Sequence, residues 1–265
     1  MLPFGDSFAA WVVATAAAAF GGLLASLIVG RYLRPAYFLA FSVGVLLWVF
    51  TDVIDEAGKI DVEASFSGGW EQVIIIVLFV AGVVPFLYMD RSVFSNTIID
   101  VGRITTPLLL AIAVGVHGLG EGFAFGAVSA TTPFNTLITA FGGEAAGASY
   151  VIHKFLEAMA IGSFYLLFLG SKTTRIGTHL RSVTWLTLAF TLPSIAAMAV
   201  GYYYQFDAVY FFSLGTGALL YAMLRMAGPL FSNDNLGGRS FKAGLWLTAG
   251  FLCVYFAALL HSYIA

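Results

Sequence analysis

Two short motifs in the middle of the chain combine imidazole and carboxylate side chains. His117 is followed four residues later by Glu121, and His153 is followed four residues later by Glu157. On a helix this spacing places both side chains of a pair on one face, one turn apart. If the two helices face each other, two imidazoles and two carboxylates form a ligand set for a divalent transition metal.

The surroundings of these motifs are strongly apolar. Of the 265 residues, 60% are hydrophobic and only 10% are charged. Soluble domains are about 45–50% apolar and about 25% charged, so this composition indicates a membrane protein. Ionisable groups inside membrane-length apolar segments are costly and rare, and two such pairs therefore predict a functional site.

Eight apolar segments predict an all-α, polytopic membrane protein with a single transmembrane domain, residues 1–265. The connections are short, so neighbouring helices should be antiparallel within one bundle. The two motifs lie in the fourth and fifth segments, which places the expected metal site within residues 105–170. The predicted segments are Phe8–Gly30, Tyr37–Glu56, Gln72–Met89, Thr105–Ala127, Glu144–Gly170, Val183–Tyr203, Ala208–Met226 and Phe241–Tyr263.

The basic residues predict the orientation in the membrane. Ten of them lie in or beside the odd-numbered connections, whereas the other side holds only Lys59 and a span holds Lys154. The positive-inside rule therefore places the odd-numbered connections in the cytoplasm and both termini outside. The ten residues are Arg31, Arg34, Arg91, Arg103, Lys172, Arg175, Arg181, Arg225, Arg239 and Lys242.

The opposite, outer side is acidic. A patch of carboxylates at a channel mouth raises the local concentration of cations. The acidic residues assigned to this side are Asp6, Asp55, Glu56, Asp61, Glu63, Glu71, Glu144 and Asp207. At the end of the second segment, Asp52, Asp55 and Glu56 are either a polar helix end at the outer interface or an access route for metal. The sequence leaves both interpretations open.

Three further residues stand out by position. Lys154 lies midway along the fifth segment, where its side chain has little reach toward water. We therefore expect an anionic partner, with Glu121 and Glu157 as the carboxylates of matching depth. His179 and Arg181 fall in the connection before the sixth segment.

At the two motifs the chain resembles the ZIP (Zrt/Irt-like) family of divalent metal transporters, in particular its prokaryotic branch. The family patterns are His-Asn-x-x-Glu-Gly in the fourth helix and His-Lys-x-x-Glu-Gly in the fifth. The matching stretches run from His117 to Gly122 and from His153 to Ala158. The resemblance implies eight helices with both termini outside, and His117, Glu121, His153 and Glu157 as the main metal ligands.

The chain also departs from the family pattern. Gly118 replaces the family's Asn, Ala158 replaces a Gly, and Leu192 stands before Pro193 where prokaryotic members often have Glu. These changes remove most ligands of a second, adjacent metal site. We expect the ammonium of Lys154 to take the place of that second metal, beside the bridging carboxylates.

The resulting functional prediction is transport of a divalent transition metal into the cytoplasm, with the metal as substrate and no organic cofactor. Two imidazoles and two carboxylates suit zinc first, and iron, manganese or cobalt as well. The expected partners are the metal ion and the lipid bilayer of the cell membrane, with a homodimer left open and no nucleic acid. We predict that the protein is not an enzyme. An intramembrane metal-dependent hydrolase and a non-transporting ZIP-like receptor or assembly subunit are the alternatives.

Overall fold

The computed structural model describes residues 2–63, 70–90, 104–133, 136–169, 176–204, 206–231 and 240–262. Within these ranges the chain is helical and contains no strand, which confirms the predicted all-α class. Eight helices are long and one is a single turn. They are α1 (Phe4–Val29), α2 (Pro35–Glu63), α3 (Trp70–Met89), α4 (Thr105–Thr131), the short α5 (Leu137–Ala140), α6 (Glu144–Leu169), α7 (Ile176–Tyr203), α8 (Val209–Phe231) and α9 (Ser240–Ser262).

Among the described residues, seven helices are long and apolar enough to cross a membrane. The long helix outside this set is α6, which carries His153, Lys154 and Glu157 in its middle. The seven apolar stretches are Phe4–Val29, Pro35–Asp55, Trp70–Met89, Thr105–Thr131, His179–Tyr203, Val209–Leu230 and Phe241–Leu259.

Each long helix corresponds to one predicted apolar segment, but several boundaries differ, and the end of α2 and the start of α7 differ most. The second segment was expected to end at Glu56, whereas α2 continues to Glu63. His179 and Arg181 were placed in a connection, whereas both lie within α7. Hydropathy marks where a helix leaves the apolar region, not where its backbone hydrogen bonds end. Good helix formers such as Ala, Glu and Lys continue a helix into water.

The short helix α5 lies directly before α6. The chain leaves α5 through Gly142 and Gly143, whose φ angles are 83° and 104°. The amide of Gly143 donates to the carbonyl of Ile138 (2.9 Å), which ends the turn of helix. Positive φ costs glycine little, and two successive glycines therefore permit the reversal into α6.

Glycines bring several helix pairs into backbone contact. α4 packs most extensively against α7, while α6 packs against α1 and α2. An ideal Cβ on Gly122 of α4 would lie 2.1 Å from the carbonyl oxygen of Ser194, and one on Gly201 of α7 would lie 2.2 Å from that of Phe123. The same reciprocal arrangement joins α3 to α8 and α2 to α9. Small residues at helix contacts are the usual means of close packing in membranes.

The two motif helices, α4 and α6, make few backbone contacts with each other. Their separation is set by neighbours, because α7 and α8 hold α4 while α1 and α2 hold α6. Gly22 of α1 lies against Phe155 and Ala158 of α6, and Gly215 of α8 lies against His117 of α4. A gap therefore remains between the motif helices, and side chains fill it.

This packing predicts that Gly122→Ala destabilises the protein. The new methyl group overlaps the Ser194 carbonyl, and overpacking of this kind costs about 1–3 kcal/mol. Thermal unfolding of the detergent-solubilised protein measures the effect. Gly244→Ala in α9 is the matched control, because an ideal Cβ there has no atom within 4 Å. Equal unfolding temperatures for the two variants would contradict the assignment of Gly122 to a close helix contact.

Candidate metal site

The structure brings the four predicted ligands together. His117 and Glu121 project from one face of α4, and His153 and Glu157 project from one face of α6. One ligand atom from each side chain can be chosen so that all four lie within 4.8 Å of one another. The chain therefore contains a His/Glu cluster, within the described residues, whose geometry is compatible with a metal site.

Glu157 lies at the centre of the cluster. Its Oε1 is 3.1 Å from Nε2 of His117 and also contacts Nε2 of His153. Nε2 of His117 lies 3.6 Å from Oε1 of Glu121. Within the described part of the chain, neither Glu157 Oε1 nor His153 Nε2 has a partner with hydrogen-bond geometry, although both atoms are buried. Acceptor atoms that converge in this way are compatible with a shared cation or proton between them.

The ring of His117 is oriented by the backbone of its own helix. Nδ1 lies 2.6 Å from the carbonyl oxygen of Val114. Because a carbonyl oxygen can only accept a hydrogen bond, Nδ1 must carry the proton. A proton on Nδ1 leaves Nε2 as the nitrogen that faces the cluster. In metal-binding histidines, the N–H of the ring nitrogen that does not bind metal commonly donates a hydrogen bond to a carbonyl or carboxylate. This hydrogen bond fixes the orientation of the ring and its tautomer.

Lys154 was expected to pair with Glu121 or Glu157, and the structure pairs it with both. Its Nζ is 2.6 Å from Oε2 of Glu121 and 2.9 Å from Oε2 of Glu157. It also lies 3.4 Å from Nε2 of His117. The side chain is only 1% exposed. The ammonium is thus a tethered cation inside the ligand set, and two carboxylates against one ammonium leave one negative charge for a further cation.

Two aromatic rings lie near the ammonium of Lys154, in addition to the two carboxylates. Nζ of Lys154 lies 5.9 Å from the ring centre of Tyr150 and 5.6 Å from that of Phe190. A cation over a ring face is stabilised by the negative potential of the π electrons. Sequence analysis missed both rings. Tyr150 stands one turn before Lys154 and was a detectable signal, but Phe190 comes from α7 and only the fold brings it near.

Burial divides the cluster into a closed and an open edge. His117 and Glu157 are fully buried, whereas Glu121 is 17% and His153 is 13% exposed. His153 packs edge-on against Trp48 of α2, with ring centres 6.0 Å apart. Asp52 lies one turn further along α2 and is exposed, as is Asp55. The side chain of Glu56 lies outside the described residues.

The structure also shows the surroundings of Gly118, Ala158 and Leu192. A Cβ on Gly118 would lie 3.1 Å from Cβ of Ser194, so α7 occupies the space of a larger side chain. Ser194 in turn accepts a hydrogen bond from Nε1 of Trp11 (3.2 Å). Ala158 packs against Gly22 of α1. Leu192 is 55% exposed and faces away from the cluster, so it adds no group to the site.

The fold and the site together define a class: a multi-helix, membrane-type bundle with a buried His/Glu cluster compatible with a metal ion. The comparisons with known proteins add no name to this class. The chain matches no protein-family model and no curated protein sequence.

The position of Lys154 predicts how the cluster responds to its removal. Lys154→Gln leaves Glu121 and Glu157 without their buried cation, and removing one partner of a buried ion pair costs about 3–5 kcal/mol. We expect a lower unfolding temperature in chelator and a larger stabilisation by added zinc than in the wild type. Thermal unfolding with and without zinc measures both effects.

Lys154→Arg is the matched control because it keeps the positive charge. It should lose less stability in chelator and gain no extra stabilisation from zinc. A Lys154→Gln variant that zinc stabilises no more than the wild type would show that the ammonium and a metal do not compete for the same carboxylates.

Proposed function

We propose that this protein moves divalent transition-metal ions across a membrane through the His117, Glu121, His153 and Glu157 cluster. The observation that carries the proposal is the convergence of four ligand atoms within 4.8 Å, in the interior of an apolar helical bundle. Such groups are expensive to bury in a membrane protein and are retained where an ion or proton must pass.

The donor set indicates the class of cargo. Two imidazole nitrogens and two carboxylate oxygens are borderline ligands, which suit zinc first and also iron, manganese or cobalt. Calcium and magnesium prefer shells of oxygen alone, and Cu(I) prefers sulfur. We propose one cargo ion per chain, since the Lys154 ammonium already neutralises one of the two carboxylate charges.

We further propose that α6 spans the membrane with the seven apolar helices, which places both termini on the outer face of the cell membrane. The packing of α6 between α1 and α2 supports this arrangement. Arg225 was counted among the inner basic residues, but it is buried and paired with Asp90. The remaining nine basic residues still outnumber Lys59, so the predicted orientation is unchanged.

The ZIP resemblance stays a proposal that rests on the two motifs. The chain is, on this proposal, a divergent relative with a single-metal site.

The open edge of the cluster suggests the route of access. Glu121 and His153 are the exposed ligands, and they lie toward the end of α4 and the start of α6, on the proposed outer side. Trp48 and Asp52 continue along α2 from His153. We propose that cargo passes this face of α2, with Glu121 and His153 as the first ligands it meets.

One observation favours a second candidate, the non-transporting receptor or assembly subunit. The ammonium of Lys154 stands within hydrogen-bonding distance of both carboxylates, which is where an inert charge substitute would be found. A hydrolase has less support, because Glu121 and Glu157 both face the ligand cluster and neither is left as a separate base. We therefore propose no enzymatic activity.

Zinc uptake into proteoliposomes of the purified protein distinguishes these functions. We expect uptake by the wild type and its loss in Glu157→Gln, because Glu157 contacts both histidines. Loss of an outer-shell partner typically costs about 10–100-fold in metal affinity, and loss of a ligand should cost more. Glu144→Gln, at an exposed helix start, is the control and should retain uptake. Zinc binding without uptake by the wild type would favour the receptor.

The acidic outer side predicts an uptake rate that depends on salt. Joint neutralisation of Asp55, Glu56, Glu63 and Glu71 should lower the initial uptake rate at low ionic strength. The difference from the wild type should shrink in high salt, where the Debye length falls to about 3 Å at 1 M. Zinc affinity at equilibrium should be unchanged. An equal loss of rate at both salt concentrations would instead indicate that these carboxylates bind the metal directly.

A further inference from the structure

Two buried apolar residues, Leu110 and Phe164, lie on the closed side of the cluster. Leu110 stands seven residues before His117 on α4, and Phe164 stands seven residues after Glu157 on α6. A separation of seven residues is two turns, so each lies on the same helix face as its ligand, roughly 10 Å along the axis. Both side chains are fully buried and belong to the main apolar core.

Phe164 is held in place by a charged side chain from another helix. The guanidinium of Arg225 on α8 lies over the Phe164 ring, 5.8 Å from its centre. Nε of Arg225 is 2.7 Å from Oδ2 of Asp90, which follows α3, and both side chains are about 7% exposed or less. The hydroxyl of Tyr221 donates to the same Oδ2 (3.0 Å).

The next residue of α6 has a second polar contact. The hydroxyl of Tyr165 and Nδ1 of His179 on α7 lie 2.7 Å apart. Phe164 therefore contacts α8 through Arg225, and Tyr165 contacts α7 through His179. Neither contact takes part in the His/Glu cluster.

A cavity lies beside the first turns of α4. It has a volume of about 310 Å³ and is lined by Met89, Asp90 and the residues of α4 between Thr105 and Ile112. Asp90 thus belongs both to the cavity wall and to the ion pair with Arg225. The ion pair therefore borders the cavity.

We propose that Arg225, anchored by Asp90, is the latch of a gate whose moving plug is Phe164. With the ion pair made, the guanidinium keeps the ring between the His/Glu cluster and the Asp90 cavity. Release of Arg225 from Asp90 frees the ring and connects the two. Arg225 is a positioning residue in this scheme, since it acts through Phe164 and does not touch the cluster. The gate depends on the proposed function only for the identity of what passes it.

Thiol labelling tests the gate without metal. The background is the full-length protein with Cys253→Ser, which removes the exposed native cysteine. Ala113→Cys then places a thiol on α4 between His117 and Leu110, where the native side chain is fully buried. Purified protein in lipid vesicles with a chelator is treated with a membrane-impermeant thiol reagent from either side. A separate Met89→Cys protein marks the Asp90 side, because Met89 is exposed.

With the latch intact we expect slow labelling of Cys at position 113. Arg225→Gln and Phe164→Ala should each raise the rate about tenfold or more from the Asp90 side, a change that corresponds to about 1.4 kcal/mol in gate opening. Arg225→Lys should restore slow labelling, because an ammonium can still pair with Asp90. Arg181→Gln, at an exposed position on α7, is the control and should have no effect.

Several outcomes overturn the proposal. One is wild-type labelling rates in both folded variants, and another is an increase from the side opposite Asp90. An increase in Arg225→Gln without one in Phe164→Ala overturns the assignment of the plug. If Arg225→Gln does not give a monodisperse protein, Phe164→Ala decides alone, because it leaves the Asp90–Arg225 pair intact. The result is independent of zinc uptake, so failure of the gate and failure of transport are separate findings.

Discussion

The interaction on which the centre of this protein depends is the pairing of one buried ammonium with two buried carboxylates. Glu157 is fully buried and Glu121 is 17% exposed, and an uncompensated carboxylate in the protein interior is strongly destabilising. Lys154 lies within 3 Å of both and receives further stabilisation from the rings of Tyr150 and Phe190. The bundle can therefore hold a metal-ligand set in its interior while no metal is bound.

The same pairing explains why the ligand set remains receptive to a cation. One ammonium against two carboxylates leaves a negative charge, and the imidazoles of His117 and His153 both turn Nε2 toward Glu157. A dication that binds beside the ammonium would find four donors already close together. Preorganised donors lose little conformational entropy on binding, and this favours capture from a dilute solution.

Close helix packing supplies the rigidity that such a cluster needs. The motif helices α4 and α6 contact each other little, and their distance is set by α7 and α8 on one side and by α1 and α2 on the other. Glycines at these contacts let backbones meet, so the helix positions depend on van der Waals fit over long surfaces. That packing leaves Glu121 and His153 partly exposed. It also buries Leu110 and Phe164 on the opposite side of the cluster.

Much of the fold was determined by the sequence alone. Apolar segments of sufficient length must form helices in a membrane, because only a helix satisfies its own backbone hydrogen bonds there. The i, i+4 spacing within each motif places His117 with Glu121 and His153 with Glu157 on single helix faces, since that relation depends only on helical geometry. The sequence also predicted that Lys154, in the middle of an apolar segment, has an anionic partner, because burying an unpaired charge is costly.

Other features were decided only by tertiary structure. No local pattern brings Phe190 of α7 to Lys154, Ser194 to Gly118, or Asp90 after α3 to Arg225 of α8. The sequence analysis counted Arg225 among the inner basic residues, because counting charges along a sequence cannot detect a partner more than a hundred residues away. Helix ends such as Glu63 and Ile176 also differed from the hydropathy limits, since backbone hydrogen bonding continues beyond the apolar region. The helical spacing of residues in the sequence determines which side chains share one face of a helix. The contacts between helices depend on the shapes of all the helices together.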